Sequence, residues 1–170
     1  MERAAHADIV SSVIDSSLYT PDKFNTLLFK ELCENSPDMI VLAGYMKILP
    51  TEIVKKFKGK IINIHPSLLP KYKGLNTHRR ALESNELMHG ATVHCVTDEL
   101  DDGAIIGQYE LSVNPNESEE SLTERVHKAE HIILPMIINL LCSDQITIND
   151  NKPRITKISS ISELPILISE

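Results

Sequence analysis

Tryptophan is absent from the 170 residues, aromatic side chains make up only 4%, and none of the six glycines falls before Gly44. The glycine pattern excludes a G-x-G phosphate turn. A doubly wound sheet normally opens on a strand and a glycine-rich turn over a helix N-terminus, yet the first strand expected here lies almost forty residues in. Cysteine is sparse too: Cys33, Cys95 and Cys142 are far apart, odd in number and fit no metal spacing, so they read as reduced thiols. No uninterrupted apolar run approaches membrane length, since Ile132 to Cys142 is broken by Pro135 and Asn139. The N-terminus carries Glu2, Arg3, His6 and Asp8 where a secretory peptide needs an apolar stretch. A cytoplasmic protein is expected, without a membrane partner. A net charge of -7 disfavours a broad phosphate-binding surface, although Lys71-Tyr72-Lys73 and Arg79-Arg80 are local basic patches, so nucleic acid is not an expected partner.

What is present is an aliphatic core: 42% of residues are hydrophobic and 24% charged, in a chain long enough for one ordinary domain. Thr20 as N-cap and Pro21 at the first helical position start an amphipathic helix to Asn35, with Phe24, Leu27, Leu28 and Leu32 on one face. Met39 to Ala43 is a continuous apolar run of the kind shown by parallel strands covered on both faces. A short helix, Thr51 to Phe57, leads to a second strand, Lys60 to Ile64, giving a βαβ unit. Thr77 to Ser84 reads as a helix. Ala91 to Val96 and Ile106 to Val113 alternate with period two and read as an antiparallel hairpin. A long helix runs from about Ser118 to Leu141. Ser121 and Glu124 have capping-box spacing, Leu122, Val126, Ala129, Ile133, Met136 and Leu140 form the buried stripe, and a kink is expected at Pro135. The tail from Ile146 holds short strand-like pieces.

Chemistry concentrates at Asn63-Ile64-His65-Pro66-Ser67-Leu68-Leu69-Pro70, where an apolar strand ends in an amide, an imidazole and a proline-stiffened turn. Alternation about Ile64 points Asn63 and His65 to one side of an extended backbone. In open α/β sheets ligands bind beyond the carboxyl ends of strands, so both groups face a place where a carbonyl oxygen can be held and protonated. The acidic loop Thr97 to Gly103 opens on the same edge, bringing Asp101 within reach of His65, where a carboxylate favours the imidazolium. Asp98, Glu99 and Asp102 read as a solvated tip. Leu100 stands where an EF-hand needs an oxygen ligand, which excludes a calcium loop. His127-Lys128-Ala129-Glu130-His131 spells an inverted zincin motif, but no later helix offers an acidic third ligand. The segment reads instead as a partly exposed helix face. Tyr45-Met46-Lys47-Ile48-Leu49 gives an apolar wall with one cation beside the first strand's end.

Taken together, Val41 to Met46, Asn63 to Pro70, Gly74 to Arg79, His89-Gly90, Val93-His94, Thr97 to Asp101 and Glu130-His131 resemble the folate-dependent phosphoribosylglycinamide formyltransferase family across essentially the whole chain. The resemblance implies a Rossmann-like formyltransferase fold: an α/β domain with a mostly parallel sheet, helices on both faces, and a C-terminal antiparallel hairpin and long helix. It implies formyl transfer in purine biosynthesis from 10-formyltetrahydrofolate as cosubstrate, with no metal, to the amine of glycinamide ribonucleotide. A folate-binding remnant and a 10-formyltetrahydrofolate hydrolase are the alternatives. By the same resemblance Asn63, His65 and Asp101 are the catalytic trio. Leu42, Tyr45, Met46, Lys47, Ile48, Leu49, Val96, Thr97, Asp98 and Leu100 line the folate pocket, and Pro66, His94 and Glu130 meet the nucleotide substrate or the reacting centre. The family opens with a strand and a Gly-Ser-x-Ser-Asn type phosphate loop that has no counterpart here. The expectation is therefore a single, N-terminally incomplete formyltransferase domain, as a monomer or homodimer.

Overall fold

In a computed structural model, the chain is described at residues 2–156 and 166–168. It divides into two compact units, Met1–Pro37 and Asp38–Glu170, each taken by itself below. The first holds helices α1 (Glu2–His6) and α2 (Pro21–Asn35). Thr20 caps α2 as its sequence requires, its hydroxyl accepting from the Lys23 amide, and Phe24 is the helix's one buried residue. Between the helices, Ile9, Val10 and Val13 are 63%, 95% and 65% exposed.

The second unit is built on a five-stranded sheet in the order β1-β2-β3-β4-β7. Its strands are β1 (Ile40–Leu42), β2 (Ile61–His65), β3 (Met88–Cys95), β4 (Ile105–Ser112) and β7 (Ile166–Ile168). Helix α3 (Thr51–Lys56) makes the crossover between β1 and β2, which pair in parallel, and α4 (Thr77–Glu83) lies between β2 and β3. The sheet is mixed: β2–β3, β3–β4 and β4–β7 are all antiparallel, so the expectation of a mostly parallel sheet is corrected. An apolar run announces burial, and it does not announce direction. The loop after β2 and the seven-residue α4 return the chain so that β3 runs back beside β2.

Helix α5 (Glu119–Cys142) packs against β3 and β4. Leu122, Val126, Ala129, Ile133, Ile137 and Leu140 are its buried stripe, with Ile137 taking the place expected of Met136. The cap is Ser118, whose hydroxyl accepts from the Ser121 amide, rather than Ser121 itself. The helix is continuous through Pro135. A small hairpin, β5 (Ile146–Asn149) and β6 (Lys152–Ile155), follows; residues 157–165 of the expected tail lie outside the described residues. The core joins Ile62 and Ile64 of β2, Ala91, Val93 and Cys95 of β3, and Ile106 of β4 to the α5 stripe. Among the described residues no helix is long and apolar enough to cross a membrane.

Candidate active site

Strand register builds the centre of the site. Asn63 and His65 alternate about the buried Ile64, and the antiparallel neighbour places His94 opposite Asn63 and Thr92 opposite His65. Four polar side chains therefore share one face, at cross-strand distances where facing side chains touch. Asn63 Nδ2 lies 3.2 Å from His94 Nε2, and the other ring nitrogen of His94 lies 2.8 Å from the carbonyl of Cys95. These partners fix one tautomer: Nδ1–H donates to the carbonyl and Nε2 accepts from the carboxamide. Burial pushes the His94 pKa below the ordinary histidine value, against the raising influence of the Cys95 carbonyl and Asp101. The neutral ring spends one Asn63 N–H and leaves the second for another acceptor.

Two loops complete the constellation. Asp101, whose side chain is 11% exposed, places Oδ2 3.3 Å from His65 Nδ1 and Oδ1 3.7 Å from His94 Nε2. Its backbone is left-handed, with φ 47°, and Gly103 two residues on is packed so closely that a Cβ there would lie 1.7 Å from the Cys95 carbonyl oxygen. The 66–74 loop meets this turn directly. The Gly74 amide donates to Asp101 Oδ2 at 2.9 Å, Lys73 pairs with Asp102, and the Tyr72 carbonyl lies 2.9 Å from His65 Nε2. His65 thus has an acceptor at each ring nitrogen, an arrangement that the doubly protonated ring satisfies. The loop is anchored beneath by Thr92, whose buried hydroxyl donates to the Ser67 carbonyl at 2.6 Å and accepts from Leu69 N at 3.1 Å and Gln108 Nε2 at 2.9 Å.

These groups open on one cavity of about 620 Å³. Its walls include Leu42, Tyr45 through Leu49, Asn63 through Pro66, His94 and Val96 through Asp101, which gathers every residue expected at the folate pocket and every member of the expected trio. Met46, Ile48 and Leu100 are 74%, 72% and 54% exposed in this apolar lining. Glu130 is the exception. The cavity meets α5 along Glu119, Thr123 and His127 and does not include Glu130, three residues further along the helix. The Glu130 side chain is half-buried, and burial raises its pKa above the ordinary carboxylate value.

Glu119, Thr123 and His127, spaced by four residues beside the apolar stripe, and His78 at the start of α4 escaped assignment from sequence. The signal for the α5 residues was the polar row flanking Leu122 and Val126, which marks where a helix leaves its core contact. His78 Nδ1 lies 3.1 Å from Nε2 of the buried His89, with the rings edge to face at 5.2 Å. Burial lowers both pKa values, that of His89 to about 4. Among the described residues no group of His, Cys, Asp and Glu side chains is placed to hold a metal ion, and the inverted zincin motif of α5 gathers no third ligand.

A mixed α/β sheet whose neighbouring strands carry a carboxamide and two histidines, with a loop carboxylate beside them, on one largely apolar cavity defines an α/β protein with a clustered set of proton donors and acceptors. The chain belongs to the formyl transferase family, whose model matches residues 1–138. It is 41% identical over 152 residues to phosphoribosylglycinamide formyltransferase of Escherichia coli (strain K12), covering 89% of this chain and 72% of that protein. It is 47% identical over 151 residues to the trifunctional purine biosynthetic protein adenosine-3 of Chironomus tentans, covering 88% of this chain but only 11% of that much longer protein. The phosphoribosylglycinamide formyltransferase structure from Coxiella burnetii matches with a TM-score of 0.82 and 42% identity, over 91% of this chain and 73% of that one.

Proposed function

We propose that this chain carries the formyl-transfer centre of a phosphoribosylglycinamide formyltransferase, moving a formyl group from 10-formyltetrahydrofolate to the amine of glycinamide ribonucleotide in purine biosynthesis. The observation that supports this most is the convergence of Asn63, His94, His65 and Asp101 on the wall of one cavity, with Asn63 held by His94 and His65 held by Asp101. The apolar side chains of Tyr45, Met46, Ile48, Leu49, Val96 and Leu100 in the cavity lining suit a flat heteroaromatic ring. Pro66 and His94 line the same cavity and are read as meeting the nucleotide substrate or the reacting centre.

Asn63 uses its remaining N–H, and His65 its Nδ1–H, to stabilise the formyl oxygen as attack by the amine nitrogen turns it into a tetrahedral oxyanion. His65 Nδ1–H faces Asp101 at 3.3 Å, so an arriving oxygen shares that proton with the carboxylate. Asp101 holds the imidazolium and, through a water, takes the proton from the attacking nitrogen and returns it to the departing folate nitrogen as the carbon–nitrogen bond breaks. His94, neutral and buried, fixes the Asn63 amide. Glu130 lies outside the cavity and is proposed to touch only a part of the nucleotide substrate that extends along α5.

The test is transfer by the 170-residue chain, followed by loss of tetrahydrofolate's formyl group with and without glycinamide ribonucleotide. His65→Ala and Asp101→Ala should each lower turnover at least roughly a hundredfold while leaving folate binding in place. Unchanged rates in both variants refute the assignment. Formate release that ignores the amine identifies a hydrolase instead, and folate binding without turnover identifies a binding remnant.

A further inference from the structure

Among the described residues, those other than glycine with a left-handed backbone are all Asp, Asn or Ser, which tolerate it, with one exception. The exception is Tyr72, with φ 57°. A bulky side chain holds that conformation only where its surroundings impose it, and such positions cluster at functional sites. Tyr72 is surrounded accordingly. Its hydroxyl donates to Glu86 Oε1 at 2.9 Å, the Arg80 guanidinium lies over its ring at 5.2 Å, and the His89 ring meets it edge to face at 6.4 Å. Its chain neighbours are tied to the same groups: the Lys71 ammonium pairs with Glu86, and Arg80 donates to the Lys73 carbonyl at 2.7 Å. From within the loop, the buried Ser67 hydroxyl donates to the Lys71 carbonyl at 2.7 Å.

What this clamp sets is the direction of one carbonyl. Tyr72 O lies 2.9 Å from His65 Nε2, and a carbonyl only accepts, so that nitrogen carries a proton. The Asp101 carboxylate asks the same of Nδ1. Without the carbonyl, a neutral ring protonated at Nδ1 satisfies Asp101 and leaves Nε2 free; with it, only the imidazolium satisfies both partners. The other rings that feel His65, namely His78, His89 and His94, are each pushed below the ordinary histidine value by burial and do not compete for the charge. Resting on the catalytic reading of His65 above, we infer that Tyr72 is a positioning residue: Glu86, Arg80 and His89 hold its side chain so that a strained backbone keeps its carbonyl on His65 and the imidazole doubly protonated for the reaction.

The experiment compares Tyr72→Ala with Tyr72→Gly in the 170-residue chain. Both remove the clamp, but only glycine takes the left-handed turn without steric cost. The readout is the titration of the His65 ring followed by NMR, assigned with His65→Gln, which needs no turnover. The inference expects the midpoint to fall by about one pH unit in Tyr72→Ala, where a hydrogen bond to the charged ring is lost, and to return most of the way in Tyr72→Gly. The kcat for formyl transfer should follow the same order while KM for the folate holds. A midpoint in Tyr72→Ala equal to wild type overturns the inference, as does a loss that glycine fails to restore, which makes the side chain ordinary packing. Should Tyr72→Ala not fold, Arg80→Met alone and combined with Tyr72→Gly replaces the pair, with the same outcomes. Midpoints ordered as expected in a chain that transfers no formyl group strike the functional reading alone.

Discussion

Replacing Gly103 by alanine tests whether the Asp101 turn sets the geometry of the site. An added Cβ would lie 1.7 Å from the Cys95 carbonyl oxygen and 2.7 Å from the Cys95 carbonyl carbon, where real Cβ contacts begin at 3.0 Å. Cys95 is fully buried in β3, and its amide is tied to the Ala104 carbonyl at 2.9 Å, so the strand cannot yield. The turn must move by about 1.3 Å, and it carries Asp101 two residues upstream. The Asp101 carboxylate serves His65 at 3.3 Å and Gly74 at 2.9 Å, and a shift of that size breaks one contact or both. A misplacement of about 1 Å in a catalytic group costs on the order of a hundredfold in rate. Gly103→Ala should therefore lose about two orders of magnitude in single-turnover formyl transfer while its thermal unfolding stays cooperative. A variant within about threefold of wild type, with its fold intact, refutes the claim that this turn positions the carboxylate.

Thr92→Val keeps the shape of the side chain but strands the buried Ser67 carbonyl and Leu69 amide, so urea unfolding should report a loss of about 2–4 kcal/mol. A loss below about 1 kcal/mol would show that the 66–74 loop does not depend on that hydroxyl. His89 has its pKa lowered to about 4 in the fold, whereas an unfolded histidine titrates near 6.5, so between those values the unfolded chain binds the extra proton. Stability contributed by the neutral ring is complete above about pH 6.5 and is lost as pH falls toward 4, at up to about 1.4 kcal/mol per pH unit. Denaturant midpoints measured from pH 7.5 down to pH 5 should fall, and a His89→Gln variant should flatten that slope; a slope identical to wild type assigns the pH dependence elsewhere.

The clustering at the candidate site was legible in sequence because the residues that form it sit where local geometry is simple. Asn63 and His65 share a strand face by alternation alone, and Asp101 lies in the one acidic turn that joins two period-two runs. Strand direction was harder to read. β1 is all apolar and β2 is mostly so, and the two do pair in parallel, but only the return path through 66–74 and α4 decides that β3 runs antiparallel to β2. The α5 start illustrates a different limit, since Ser118 and Ser121 both satisfy the composition of a cap and only the extended backbone of Ser118 selects it. The contact of His94 with Asn63 depends on cross-strand register, which no single segment encodes.

The carboxylate that serves His65 also fastens the 66–74 loop through Gly74, and a chain neighbour of each residue repeats the tie in the pairing of Lys73 with Asp102. Neither loop owns the candidate centre; each is the other's scaffold. Grafting this chemistry onto another sheet, or exchanging loops between related proteins, will succeed only when both segments travel together. A change in either one will be felt at an imidazole it does not contain.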